Sequence, residues 1–178
     1  MVIIIIFIIV ILLVLLTFFV FPWFYGAPYD ITRKKSLKNI IKLVNLKSGD
    51  KIAELGSGDG RVCIALAKSK PQSKFTIHGY EINPILVWIS KRRIKKLNLQ
   101  NKIKIHWENF WNVNLSEFNK IIFFQFRSIT KRLEEKFRME LKPKAKIISH
   151  NWKLPNWKIK RRLGKKGLLE GEVYLYEK

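Results

Sequence analysis

The chain opens on a stretch with no alternation of polar and apolar positions: residues 2–25 carry no charged side chain, and isoleucine, leucine, valine and phenylalanine dominate. A run of that length exceeds the roughly 20 residues that cross a hydrocarbon core of about 30 Å, which predicts one N-terminal transmembrane helix. A buried core helix would keep a polar stripe, and a secretory signal would show a basic start and a small-residue cleavage site. Trp23, Phe24 and Tyr25 stand where an interfacial aromatic belt belongs, and Arg33, Lys34 and Lys35 follow them. By the positive-inside rule the remainder is cytoplasmic. The expected organisation is an anchor over residues 1–25, a linker over 26–35 and one domain over 36–178.

Past the linker the pattern turns periodic. Leu37, Ile40, Ile41 and Val44 fall at helical spacing behind Ser36, a candidate N-cap. A short apolar strand over 51–55 leads into a helix over 61–68, and a second strand over 75–80 ends in Glu81. Asn83-Pro84 reads as an N-cap with proline at the first helical position, opening a helix to about residue 97. Further strands are expected over 102–107, 120–126 and 145–149, with a helix over 128–141. The stretches 158–163 and 173–176 flank Gly164-Lys165-Lys166-Gly167 as a terminal antiparallel pair. Strands alternating with helices predict an α/β, doubly wound, mostly parallel sheet whose ligand crevice lies at the C-terminal strand ends.

Charge changes the picture next. The formal net charge of +22 sets up a field that attracts polyanions, and nucleic acid and an anionic lipid surface both qualify. The plainer reading is lysines that solvate the surface. The cationic run from Lys91 to Lys96 reads first as a dipole-stabilised helix end. Cys63 is the single cysteine, which excludes an intrachain disulfide and a cysteine-cluster metal site. No histidine spacing resembles a zinc site. His78, His106 and His150 read as structural, with His150 the one placed to act as a base.

The chemistry concentrates in Glu54-Leu-Gly-Ser-Gly-Asp-Gly-Arg61, a strand, a tight turn and a helix start. Glycines there let a ligand approach main-chain N–H groups. The G-x-G-x-G spacing differs from the G-x-G-x-x-G dinucleotide fingerprint. With Glu81 at the tip of the next strand, the chain resembles the class I, seven-stranded S-adenosylmethionine-dependent methyltransferases. The resemblance implies a Rossmann-like sheet with a C-terminal antiparallel strand and S-adenosyl-L-methionine as cofactor. It implies that Glu54, Gly56, Ser57, Gly58, Asp59 and Gly60 hold the methionine end, that Glu81 holds the ribose, and that Asn109 and Phe110 hold the adenine.

Gly79-Tyr-Glu-Ile-Asn-Pro-Ile-Leu-Val-Trp88 and Leu154-Pro155-Asn156-Trp157 sharpen the likeness to small membrane-anchored protein lysine methyltransferases that modify the c-ring protein of ATP synthase and the adenine nucleotide translocase. That resemblance implies lysine N-methylation, and the anchor points to a lysine on a membrane-proximal protein. An acceptor lysine has a reference pKa of about 10.4 and must lose its proton, which an apolar, aromatic-lined slot favours. Trp152, Trp157, Phe126 and Tyr29 are candidates to line the slot, and Gln125 or Asn151 to accept a hydrogen bond from the amine. Two other classes stay open. A nucleic-acid methyltransferase often carries an Asp/Asn-Pro-Pro-aromatic tetrad where this chain reads Gln125-Phe126-Arg127-Ser128. A non-catalytic, membrane-tethered basic module would have no need of the intact glycine loop.

Overall fold

The computed structural model describes residues 2–19, 31–165, 167 and 171–178, and the chain divides into two compact units, Met1–Ile31 and Thr32–Lys178. In the first, α1 (Val2–Phe19) exposes the apolar side chains from Val2 to Leu16. Among the described residues, no helix is long and apolar enough to cross a membrane. The expected transmembrane helix is therefore corrected. A count of uncharged residues is not a count of helical ones: α1 has 18 residues, which at about 1.5 Å each rise about 27 Å, short of a core of about 30 Å. Residues 20–30, with the aromatic triplet and Tyr29, lie outside the described residues. The same finding removes the single-pass membrane localisation, its cytoplasmic side, and the bilayer and membrane protein as partners.

The second unit is built on one sheet. Its strands are β1 (Lys51–Leu55), β2 (Thr76–Glu81), β3 (Ile103–Trp107), β4 (Lys120–Phe123), β5 (Lys146–His150), β6 (Arg161–Leu163) and β7 (Val173–Glu177). They lie in the order β3-β2-β1-β4-β5-β7-β6. The first five are parallel, and β7 runs antiparallel to both β5 and β6. The helices are α2 (Lys34–Val44), α3 (Arg61–Ser69), α4 (Pro84–Lys96) and α5 (Thr130–Glu140). The Rossmann-like, mostly parallel seven-stranded sheet is as expected.

Alternation along the strands sorts the core into two layers. Ile52, Ile77, Ile122, Ile148 and Val173 pack with Ile40 and Val44 of α2, Val62 and Leu66 of α3, and Val87 and Ile94 of α4. Their neighbours Ala53, Ile121, Ile147 and Tyr174 pack on the other face with Leu133 and Phe137 of α5, and with Val113, Leu115 and Phe118.

Local chemistry sets the boundaries. Asn83 caps α4 by accepting from the Ile85 and Leu86 N–H groups, with Pro84 in the first turn. At α2 the expected cap is displaced: the helix starts at Lys34, and Ser36 is buried inside it, its hydroxyl accepting from the Gly171 N–H at 3.3 Å. The fourth strand stops at Phe123 instead of 126, because a 3₁₀ turn over Arg127–Ile129 precedes α5. At the N-terminal strand ends, Lys120 and Asp50 form a buried ion pair, and Lys120 also donates to the Asn45 carbonyl at 3.0 Å.

Candidate active site

Strand order reverses between β1 and β4, which are neighbours although β2 and β3 come between them in the chain. The crevice of an open parallel sheet lies at the C-terminal strand ends beside such a reversal. Gly56, Gly58 and Gly60 follow β1 there with φ of 79°, 54° and 76°, left-handed values that favour glycine. The Gly56 and Ser57 N–H groups donate to the Tyr80 carbonyl at 2.9 and 3.0 Å, folding the loop over the end of β2.

Glu81 fastens the loop. One carboxylate oxygen accepts from the Gly58 N–H at 2.8 Å and the other from the Asn83 N–H at 2.9 Å, so a single side chain ties the glycine turn to the start of α4. Burial raises its pKa above the ordinary carboxylate value, and the N–H groups of Asn83, Gly58 and Ile82 oppose that shift. Each oxygen keeps a second lone pair for a ligand donor. Ser57 lies beneath the turn with its hydroxyl buried and without a hydrogen-bond partner.

Glu54 and Asp59 have other work. Glu54 is turned into the core, where Cys63 Sγ donates to its carboxyl at 2.7 Å, and burial pushes its pKa up to about 8. Asp59 is buried between two cations: Arg61 Nε donates to it at 2.8 Å, and Arg93 of α4 pairs with its second oxygen. That arrangement joins the starts of α3 and α4.

Asn109 follows β3 and accepts from the Trp111 N–H at 3.1 Å, capping a 3₁₀ turn over Phe110–Asn112. The turn sends the Phe110 ring into the core beside Trp111. Gln125 follows β4 and crosses the glycine loop, its Nε2 donating to the Leu55 carbonyl at 3.0 Å. Asn151 follows β5 with φ 66°, and the exposed Trp152 comes next.

The structure does not bring Trp157 to this edge. Its indole N–H donates to the Glu177 carbonyl at 3.2 Å, and Glu177 pairs with Lys146, the first residue of β5. Trp157 thus lies at the opposite end of the sheet, with Arg138 over its ring. Three residues not among the expected set gather at the crevice instead. His150 is buried with its ring 4.2 Å from that of Phe124, and a Cβ on Gly171 would stand 2.3 Å from His150 Nε2 and 2.2 Å from Asn151 Oδ1. Only glycine permits that approach. The signal in the sequence was the Gly171 before β7, but spacing alone does not say which strand end it covers.

Residues 54–161 match the family model described as "ANTKMT methyltransferase domain". The human lysine N-methyltransferase named for the c-ring protein of ATP synthase is 32% identical over 130 residues, 73% of this chain and 54% of that protein. A protein-lysine N-methyltransferase of Saccharolobus islandicus (strain REY15A) is 29% identical over 84% of this chain and 92% of its own length. The chain spans about half the length of the vertebrate relatives it matches. Among solved structures, an RNA methyltransferase from Salinibacter ruber bound to S-adenosyl-L-homocysteine superposes with a TM-score of 0.75 at 22% identity, over 83% of this chain and 93% of that one. That likeness is one of fold. On the family match, which takes in more than half of its residues, this chain belongs to the ANTKMT methyltransferase-domain family, with S-adenosyl-L-methionine as its cofactor.

Proposed function

We propose that the chain transfers a methyl group from S-adenosyl-L-methionine to the side-chain nitrogen of a lysine in a protein. The observation that carries the reading is the Glu81 clamp on the glycine turn, which leaves carboxylate lone pairs beside a loop whose main chain is open to a ligand. The residues present fit the cofactor: the buried Ser57 hydroxyl lacks a partner, and the left-handed glycines put no Cβ between ligand and main chain. In this reading Glu81 accepts from the ribose hydroxyls, and the loop from Gly56 to Gly60 holds the methionine end. The Asn109 side-chain amide, whose oxygen is held by Trp111 N–H, offers its nitrogen to the adenine edge. Glu54, Asp59 and Phe110 act through the loop and core that they hold.

The cofactor supplies an electrophilic methyl on a sulfonium; the N–C bond forms as the S–C bond breaks, and the lysine proton leaves to solvent. Positioning is the chain's main task. Gln125, Asn151 and Trp152 stand at the ends of β4 and β5, on the far side of the glycine loop from Glu81. Trp152 and Phe126 disfavour the charged ammonium by desolvation, and Asn151 is placed to orient the amine. The relatives named as lysine N-methyltransferases support lysine as the acceptor.

The test is incubation with methyl-labelled cofactor and a mixture of protein and RNA, followed by digestion and mass spectrometry. Label on lysine that is lost in Glu81→Ala supports the reading. Label on RNA alone would replace it with nucleic-acid methylation.

A further inference from the structure

The outer face of α4 has no covering element among the described residues. Trp88, Lys91, Arg92 and Lys95 fall at i, i+3, i+4 and i+7 and are all exposed, Trp88 at 57%. The Arg92 guanidinium lies 4.6 Å over the Trp88 ring. Trp107, at the end of the edge strand β3, is 68% exposed, and its indole N–H donates at 2.9 Å to the Ile82 carbonyl just before α4. Lys91 is close enough to β3 to help depress the His106 pKa, so the helix stripe and the strand edge belong to one surface. Lys104 is exposed on that strand.

The charge is one-sided. No residue of α4 is acidic, and Asp59 is engaged by Arg61 and Arg93, the cation of α4 that turns toward the loop. Glu108 is the acid that follows β3. A helix end stabilised by its dipole explains cations in the last turn, as at Lys95 and Lys96. It does not explain a tryptophan left in water two turns earlier with an arginine flat upon it. Exposed tryptophan and arginine are the residue types that dominate binding energy at protein interfaces.

We propose that this face docks an acidic segment of a protein partner, with Trp88 and Arg92 at the centre of the contact and Lys91, Lys95 and Lys104 around them. Cations one helical turn apart, about 5–6 Å, match carboxylates on a partner segment. A single-stranded nucleic acid stacks bases on open ring faces, and here Arg92 already covers one face of Trp88. That the partner is the methyl acceptor rests on the lysine reading above; the docking of an acidic segment does not.

The experiment uses the full chain and a fluorescein-labelled, glutamate-rich peptide read by anisotropy, with single-stranded oligouridine as a second probe. Lys91→Glu/Arg92→Glu and, separately, Trp88→Ala should weaken peptide binding by about tenfold. Lys38→Glu/Lys42→Glu, an equal charge change on exposed positions of α2, should stay within about twofold. Equal weakening by the two charge reversals would mean that the peptide senses only net charge, and the proposal would fall. Oligouridine bound more tightly than the peptide, and released by Trp88→Ala, would make the face a nucleic-acid platform and overturn it too. In parallel, a lysine peptide with and without a glutamate tail is offered with labelled cofactor. The tail should lower KM in the wild-type chain and not in Lys91→Glu/Arg92→Glu, with kcat unchanged. If neither peptide is methylated, the lysine reading fails while the anisotropy series still decides the docking.

Discussion

Cys63 Sγ lies 2.7 Å from a carboxyl oxygen of Glu54 in a closed core beneath the glycine loop. Burial is the larger influence on both groups: it pushes the Glu54 carboxyl up to about 8 and the Cys63 thiol well above its ordinary value. At neutral pH Glu54 therefore carries its proton in the folded chain and has lost it in the unfolded one. A carboxyl raised in this way stabilises fully below its ordinary pKa of 4.5, and the contribution is lost as pH rises through about 8. Between those limits its loss amounts to at most about 1.4 kcal/mol per pH unit. Glu54→Gln should flatten the dependence, so that urea unfolding of the cofactor-free protein shows the variant gaining on the wild type from pH 5.5 to 7.5. Parallel curves would mean that Glu54 is ionised in the fold.

Glu81 tests the cofactor site. Its two oxygens each hold a main-chain N–H, so Glu81→Ala frees both loop and helix start and removes the acceptor offered to the ribose. Truncation of such a charged hydrogen-bond partner costs about 1.5–3 kcal/mol. Titration calorimetry with S-adenosyl-L-methionine should show affinity falling by that amount. Glu81→Gln should not rescue it fully, because the amide NH₂ must face Gly58 N–H or Asn83 N–H. An unchanged Kd in a folded variant would take Glu81 out of the site.

At the other end of the sheet the expectation is stability without function. Lys120 and Asp50 are both buried, and Asp50 also accepts from Asn119 Nδ2 at 3.0 Å. Burial lowers the Lys120 pKa and the Asp50 carboxylate opposes that shift. Asp50→Ala strands the ammonium and should destabilise by about 3–5 kcal/mol, whereas Lys120→Met/Asp50→Asn should recover most of the loss. Cofactor affinity should not move in the double variant. A smaller loss from Asp50→Ala than from the double variant would show that the pair is not what holds this corner.

The strands were readable because each has an apolar residue on both faces, as in Ile52-Ala53, Ile121-Ile122 and Ile147-Ile148, which only a doubly covered sheet requires. The glycine turn and Glu81 were readable because backbone conformation and a strand-tip acid leave a direct mark in sequence. Direction after a turn leaves none. The chain beyond Trp152 runs back along the second face, with the Leu154 N–H donating to the Tyr176 hydroxyl and the Asn156 N–H to Glu134, and so carries Trp157 away from the crevice. Phe110 went inward for a similar reason, since Asn109 caps a turn that aims the next ring at the core. The membrane span failed because hydropathy counts residues and a bilayer measures helix length.

Gly56 and Gly49 separate two costs that usually come together. Both have positive φ, 79° and 87°, but a Cβ at Gly49 would meet nothing within 4 Å, while one at Gly56 would stand 2.2 Å from Gln125 Nε2. Gly49→Ala thus measures the left-handed backbone cost alone, about 1–2 kcal/mol. Gly56→Ala adds the contact with Gln125, a further cost of about 1–3 kcal/mol, and forces the amide off the Leu55 carbonyl. Gln125→Ala in the same chain removes the obstacle but not the backbone strain. The double variant should therefore be more stable than the sum of the two single changes predicts, a coupling read directly from denaturant unfolding. Cofactor affinity should fall in Gly56→Ala and be untouched in Gly49→Ala. If Gly56→Ala costs no more than Gly49→Ala, Gln125 is not locked over the loop, and it is then free to serve the acceptor amine.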